Sequence, residues 1–259
     1  MTTATQSDST LARVPKTTAA HRIGNVVRLH FTNPWTILAL PSIILTAIFL
    51  LNLAIWVTVY LSAAPDHRSQ VSNGLQYTGS SFYIFVYMLV VAVQAISITF
   101  PFALGYGVTR RDYYRGTAVT FVILAAIYSA GMTLLSIIED ATGGWGVGGR
   151  MFSAVYFGDS WPVRLYVYFV LLLLFFFVGT IFAAVWVRWK ATGLATLFIA
   201  FGVLAVGLIA LIILTSGWGN IAAFFVNAGF VGSASWSLAI TAIAGLTGYL
   251  VLRRATPRT

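Results

Sequence analysis

The sequence predicts an all-α membrane protein with six transmembrane helices and both termini in the cytoplasm. Of its 259 residues, 59% are hydrophobic and only 8% are charged, against roughly 25% charged residues in soluble domains. Six apolar stretches are long enough to cross a hydrocarbon core, which takes about 20 residues. Because backbone polar groups in lipid must be satisfied within each segment, all six are expected to be helices.

The six predicted spans share one property: none contains Asp, Glu, Lys, Arg or His. An ion-coupled carrier normally keeps ionisable residues near the middle of the membrane. A proton-driven transport mechanism therefore lacks its usual relay in this sequence. We place the spans at Ile37–Leu61, Phe82–Leu104, Thr117–Ile138, Leu165–Val187, Thr192–Leu214 and Trp236–Leu252.

The distribution of basic residues gives the orientation. With six spans the loops alternate between two sides, and 12 of the 15 Lys and Arg residues fall on the side of the termini. Cytoplasmic loops carry the excess of Lys and Arg, so both termini are expected inside. The net charge of +9 is then a topology signal with some attraction to anionic membrane lipid, and nucleic-acid binding is not expected.

Three regions follow from this pattern. Residues 1–20, rich in Thr, Ser and Ala, are expected to form a disordered cytoplasmic tail. Residues 21–254 form the transmembrane domain, and residues 255–259 form a short cytoplasmic tail.

The segment His21–Thr32 has helical periodicity. Ile23, Val26, Val27 and Phe31 share one face, which predicts an amphipathic helix lying in the cytoplasmic interface. The alternative is a frayed, basic juxtamembrane stretch.

Two loops on the opposite side differ in character. Glu139–Arg164 contains five glycines within Gly143–Gly149, which favours a flexible loop without the context of a phosphate-binding motif. Thr215–Ser235 is uncharged and too short in its apolar part to span. It is expected to be a re-entrant element between spans five and six, with a plain external loop as the alternative.

No pattern in the sequence supports catalysis. The chain has no cysteine, and its only histidines, His21, His30 and His67, lie outside the predicted spans. Neither a nucleophile elbow nor a phosphate-binding loop occurs. We therefore expect no enzyme activity, no metal and no bound cofactor in this chain.

The basic loop between spans two and three is the strongest functional candidate. It reads Gly107-Val-Thr-Arg-Arg-Asp-Tyr-Tyr-Arg115. Topology alone would be satisfied by any basic residues, whereas arginine and tyrosine are the types that most often anchor protein interfaces. We interpret it as a docking loop. The alternative is that its charge serves only to set the membrane topology. Its candidate residues are Gly107, Thr109, Arg110, Arg111, Tyr113, Tyr114 and Arg115.

Neutral polar residues inside the spans form a second candidate. Asn52 lies in the first span, and Gln94, Ser97 and Thr99 lie in the second. They could line a substrate path. The alternative is ordinary hydrogen bonding between helices, worth around 0.6 kcal/mol per contact.

The order of these parts resembles the ABC transporter type-2 permease family, the membrane subunit of bacterial exporters. The resemblance extends from Ile23 to Arg254 and rests on the amphipathic segment, the six spans, Gly107–Tyr114 and Thr215–Ser235. It implies that the loop after span two contacts a separate cytosolic ABC ATPase subunit, which binds the ATP. It also implies a permease homodimer or heterodimer in the plasma membrane, with transport through the dimer. At Thr109 the family often has serine.

Two function classes thus remain. One is the permease subunit of an ATP-driven exporter. The other is a non-transporting multi-pass membrane protein, such as an anchor, an immunity protein or an assembly factor. The presence of a partner ATPase separates them.

Overall fold

The computed structural model of the protein describes residues 18–254, and this part of the chain is helical with no strand. Of the tails expected at residues 1–20 and 255–259, only residues 18–20 are described, and α1 already begins there at Ala19. The α-helices are α1 Ala19–His30, α2 Leu40–Ser62, α3 Arg68–Gly74, α4 Phe82–Gly105, α5 Arg110–Ala141, α6 Trp161–Leu214 and α7 Trp218–Arg254. Short 3₁₀ or π-helical turns occupy Trp35–Ala39, Pro65–His67, Gly144–Gly148 and Val155–Phe157.

Five helices are long and apolar enough to cross a membrane, as expected of a multi-pass membrane protein. They are Trp35–Ser62, which joins the first π-helical turn to α2, and α4, α5, α6 and α7. The all-helical class predicted from the composition is therefore confirmed. Predicted spans four and five both fall within α6, which is 54 residues long.

A backbone break at Lys190 divides α6 into two arms. Lys190 has φ 57° and ψ −144°, outside the helical region. Phe182 and Phe198 lie on either side of it, and their ring centroids are 5.5 Å apart. A straight helix would separate residues 16 positions apart by about 24 Å. The chain thus reverses at Lys190, and residues 161–189 and 191–214 form a helical hairpin.

A second break occurs at Gly229 within α7, where φ is 62° and ψ is −174°. The rings of Phe224 and Trp236, one on each side, lie 6.0 Å apart, so the chain also folds back here. The segment predicted as re-entrant therefore contains a short helical arm, residues 218–228, followed by the main arm of α7. Helix begins at residue 230 in the main arm, earlier than the predicted Trp236.

The core lies among α4, α5 and the first arm of α6. Phe121 of α5 stacks on Phe176 of α6 with ring centroids 4.7 Å apart, and Phe85 of α4 packs near Tyr168 of α6. The second arm of α6 lies at the periphery. Its apolar side chains are exposed, for example Phe198 and Val203, which suits contact with lipid chains.

The amphipathic helix predicted near the N-terminus is present as α1. It begins at Ala19, two residues before the predicted His21, where the Thr18 side chain accepts a hydrogen bond from the amide of His21. Val26 is buried in the cluster that includes the start of α5. The helix is thus packed against the bundle.

Candidate functional site

The basic loop is shorter than predicted, because its arginines belong to α5. Only residues 106–109 form the turn between α4 and α5, and Gly107 adopts φ 79°, which glycine allows without strain. The Thr109 side chain accepts a hydrogen bond from the amide of Asp112 at 3.1 Å. This N-cap starts the helix at Arg110, seven residues before the predicted Thr117. The candidate docking residues therefore lie on a rigid helix end.

An ion pair ties this helix end to α1. The Nε of Arg22 lies 2.7 Å from the Oδ2 of Asp112, whose side chain is only 7% exposed. A carboxylate in the first turn also suits the positive end of the helix dipole. The sequence alone did not indicate this pairing, because the two residues lie 90 positions apart.

A second contact joins the two helices near the other end of α1. His30 Nε2 lies 3.0 Å from the hydroxyl of Thr117, and that hydroxyl donates to the Tyr113 carbonyl. The hydroxyl oxygen therefore accepts from a protonated Nε2, which defines the tautomer of a neutral ring. Burial lowers the pKa of His30 to about 4, so the ring is neutral at physiological pH.

Close packing completes the junction between α1 and α5. A Cβ added at Gly116 would lie 2.5 Å from the Cβ of Val26. Only glycine permits this approach of the two helices. Together with Arg22 and His30, Val26 fixes α1 along the first turns of α5.

Tyr113 is a correction to the predicted docking loop. A residue that docks a partner must be accessible, but the Tyr113 side chain is fully buried. The hydroxyl lies 2.6 Å from the Thr99 hydroxyl and donates to the Ala95 carbonyl at 3.2 Å. Once the arginines form a helix, position 113 faces the bundle, so Tyr113 joins α5 to α4 instead of meeting a partner.

Two further candidates make contacts with α7. The Tyr114 hydroxyl donates to the carbonyl of Gly245, and its ring packs 5.3 Å from that of Tyr249. Arg110 Nη1 donates to the carbonyl of Arg253 at 2.8 Å, satisfying an orphan carbonyl at the end of α7. Both residues help to hold the start of α5 against α7.

The remaining docking candidates are at the surface. Gly107, Thr109, Arg111 and Arg115 are exposed. Arg111 and Arg115 are one helical turn apart and share a face of α5. The structure therefore presents a cationic surface of two arginines beside a capped turn, which we call the basic turn.

The predicted polar path is not assembled as a continuous line. Asn52 donates to the Ile48 carbonyl of its own helix at 2.9 Å, and Gln94 is exposed. The Thr99 hydroxyl bonds to the Ala95 carbonyl and to Tyr113. The Ser97 hydroxyl is buried without a hydrogen-bond partner. Of the four side chains, only Thr99 makes the hydrogen bond between helices that the alternative interpretation expects, and Asn52 bonds within its own helix.

The opposite end of α5 carries a buried carboxylate that the sequence placed in a flexible loop. Glu139 is fully buried. Its oxygens accept hydrogen bonds from the amides of Met151, Phe152 and Ser153, the Ser153 hydroxyl and Trp145 Nε1, at 2.6–3.3 Å. This arrangement, here called the Glu139 cage, ties Trp145 and residues 151–153 to the end of α5. The flexibility expected of the glycine-rich loop between them stays a prediction.

A buried arginine supports the same end. Arg164, only 3% exposed at its side chain, pairs with Asp140 and donates from Nε to the Gly158 carbonyl at 2.9 Å. Two adjacent acids, Glu139 and Asp140, at the end of an apolar segment and followed by many glycines, were the one signal in the sequence for the Glu139 cage. No pattern in the sequence around Glu139 indicated that Arg164 would lie beside the Glu139 cage.

Within residues 18–254, no group of three His, Asp or Glu side chains is placed to hold a metal ion. No protein-family model, curated protein or solved structure matches the chain.

Proposed function

We propose that this chain is the transmembrane permease subunit of an ATP-driven ABC-type exporter in the plasma membrane. The observation that carries the proposal is the basic turn. Its arginines are exposed, and the Thr109 cap, the Arg22–Asp112 pair and the Arg110–Arg253 contact hold it in place. A surface that transmits force from a partner needs such a rigid mounting.

The helical hairpin of α6 supports six crossings. At 1.5 Å per residue the 54 residues of α6 would extend about 81 Å, far beyond a hydrocarbon core of about 30 Å. With the reversal at Lys190, each arm has the length of one crossing. Six crossings place the basic turn, Lys190 and both termini on the same side, which the positive-inside rule makes cytoplasmic.

Energy would come from a separate cytosolic ATPase, since the chain carries no phosphate-binding loop. The exposed second arm of α6 is consistent with a dimeric permease, homodimer or heterodimer, in which lipid and a second subunit share the periphery. The substrate would then pass along a dimer path instead of the polar residues of one chain.

Co-purification from native membranes tests the proposal. An affinity-tagged chain should retain an ABC ATPase, and Arg111→Gln/Arg115→Gln, which changes the two exposed arginines of the basic turn, should lower that association by roughly 30-fold, the effect of about 2 kcal/mol at an interface anchor. Tyr113 is unsuitable for this test because its substitution would disturb the core.

The matched control is Arg188→Gln/Lys190→Gln, which removes the same charge from another loop on the basic side. Equal loss in both variants would show a diffuse basic surface instead of a docking turn. Retention of the ATPase by both variants would remove the docking role. If no ATPase is retained by the unmodified chain, the alternative of a membrane anchor, immunity or assembly protein is favoured.

A further inference from the structure

An apolar groove runs along α7 beside α5 and α6. It has a volume of about 430 Å³ and is lined by Phe177, Ala242 and Leu246, with Tyr114 and Tyr249 at one end. From Leu238 to Tyr249 the lining extends 11 residues along α7, or about 16 Å. One leaflet of the hydrocarbon core is about 15 Å thick, so the groove has the length of one lipid chain.

Apart from the Tyr249 hydroxyl at one end, the polar groups along the groove are already satisfied. The Thr241 hydroxyl donates to the Ser237 carbonyl at 2.8 Å, and the Gly245 carbonyl accepts from Tyr114. An occupant would therefore meet apolar surface with no demand for hydrogen bonds. This suits a hydrocarbon chain better than a polar substrate.

A cationic cavity continues the groove at its tyrosine end. It measures about 330 Å³ and is lined by Arg111, Arg115, Tyr114 and Tyr249. The two tyrosines line both cavities, so the apolar and cationic parts adjoin at these side chains. No carboxylate lines the cationic part, and the nearby Asp112 is buried and bonded to Arg22.

We propose that this site binds one anionic phospholipid of the leaflet on the basic side. The arginines would hold the phosphate, and an acyl chain would lie in the groove beside Ala242 and Leu246. Charge complementarity and the length of the groove favour this occupant over a second copy of the chain, because another copy would bring arginines of the same sign to the cavity.

The site is testable with the chain alone, so its outcome does not depend on an ATPase. The chain is placed in nanodiscs containing equal amounts of phosphatidylglycerol and phosphatidylcholine with identical acyl chains. Lipids retained after release are then identified by native mass spectrometry. We expect phosphatidylglycerol to be retained in clear preference to phosphatidylcholine. Equal retention of both lipids would overturn the proposal.

Two variants separate the parts of the site. Arg111→Gln/Arg115→Gln should reduce phosphatidylglycerol retention about 30-fold, because each basic residue near an anionic headgroup contributes about fivefold. Arg111→Lys/Arg115→Lys should restore most of it, and Arg188→Gln/Lys190→Gln should have no effect. If this last control loses as much phosphatidylglycerol as the Arg111→Gln/Arg115→Gln variant, the lipid is attracted to the whole basic side. That result would contradict a specific site.

The groove itself is tested by Ala242→Phe. Ala242 is exposed, so the larger ring fills the groove without entering the core. It should displace phosphatidylglycerol yet leave the weak binding of soluble glycerol phosphate unchanged. Unaltered lipid retention in this variant would show that the arginines bind a phosphate alone and would refute the lipid site.

Discussion

Burial and a single hydrogen bond fix the protonation state of His30. If it were exposed, a histidine would titrate near neutral pH. The ring packs 5.9 Å from that of Tyr113 and bonds to Thr117, both in the first turns of α5. A proton added to this ring would lose most of its hydration. Docking of α1 on α5 is therefore linked to pH through one side chain.

We predict that α1 loosens as the pH falls from about 6.5 to about 4. The pKa of His30 is about 4 when α1 is docked and about 6.5 when it is exposed. Between these values only the detached helix binds the proton, so docking weakens by about 1.4 kcal/mol per pH unit; above 6.5 it is constant. Hydrogen exchange of the peptide covering α1, corrected for the intrinsic effect of pH, measures this.

His30→Gln is the control for that experiment, since it can donate to Thr117 but does not titrate. Its exchange should be nearly independent of pH over the same interval. Asp112, which binds Arg22 at the other end of the junction, is the other titratable group there. An unchanged pH dependence in His30→Gln would contradict the role of His30, because the hydrogen bond from Arg22 holds the pKa of Asp112 below its ordinary value and Asp112 therefore loses its charge only at lower pH.

At the scale of single elements, the two reversals differ in the residue that makes them. Lys190 and Gly229 both have φ near 60° with an extended ψ. This conformation is open to glycine but strains any residue with a Cβ, at a cost of order 1–3 kcal/mol. The hairpin of α6 thus carries a strain that the break in α7 avoids.

We predict that Lys190→Gly raises the thermal stability of the purified chain and that Gly229→Ala lowers it. A Cβ at Gly229 would meet no atom within 4 Å, so strain alone decides the second effect. Tryptophan fluorescence during heating in detergent gives the midpoints. Lys190→Ala is the control because it removes the charge but keeps the Cβ. An increase in Lys190→Ala as large as that in Lys190→Gly would attribute the gain to charge.

The positions of these helices could be predicted from the sequence only in part. Hydropathy located every long helix because burial in lipid requires uninterrupted apolar runs. It could not place the start of α5, since Arg110 to Gly116 look like a loop until Thr109 is recognised as an N-cap. The burial of Tyr113 was missed for the same reason, because the face on which a residue lies follows from the helix that contains it.

Contacts between distant segments were beyond the sequence for a different reason. The pairing of Arg22 with Asp112 and the bonds from residues 151–153 to Glu139 depend on tertiary packing. Hydrophobic periodicity in the sequence carries no information about such contacts. Composition alone suggested a mobile glycine-rich loop, whereas the structure bonds it to Glu139, to Ser72 and to the carbonyl of Leu75.

At the scale of the whole molecule, charge and geometry together give a topology that can be measured. The chain contains no cysteine, so single cysteines can be introduced without background. We predict that Asn73→Cys and Asp159→Cys react with a membrane-impermeant thiol reagent in intact cells and that Thr109→Cys does not. All three positions are exposed in the structure.

Permeabilised cells provide the control, in which Thr109→Cys should react as well as the other two. Labelling of Thr109→Cys alone in intact cells would invert the topology. It would place the basic turn outside the cell, and the proposed ATPase contact would be impossible.

One feature of α5 has a mechanical consequence. The helix runs 32 residues, about 48 Å, without proline or a break, from the Thr109 cap to the Glu139 cage. In contrast, α6 and α7 are interrupted at Lys190 and Gly229. We therefore expect α5 to transmit a displacement at Arg111 to the loop around Glu139 as one straight element. We expect α6 and α7 to absorb bending at Lys190 and Gly229, where their helices are interrupted.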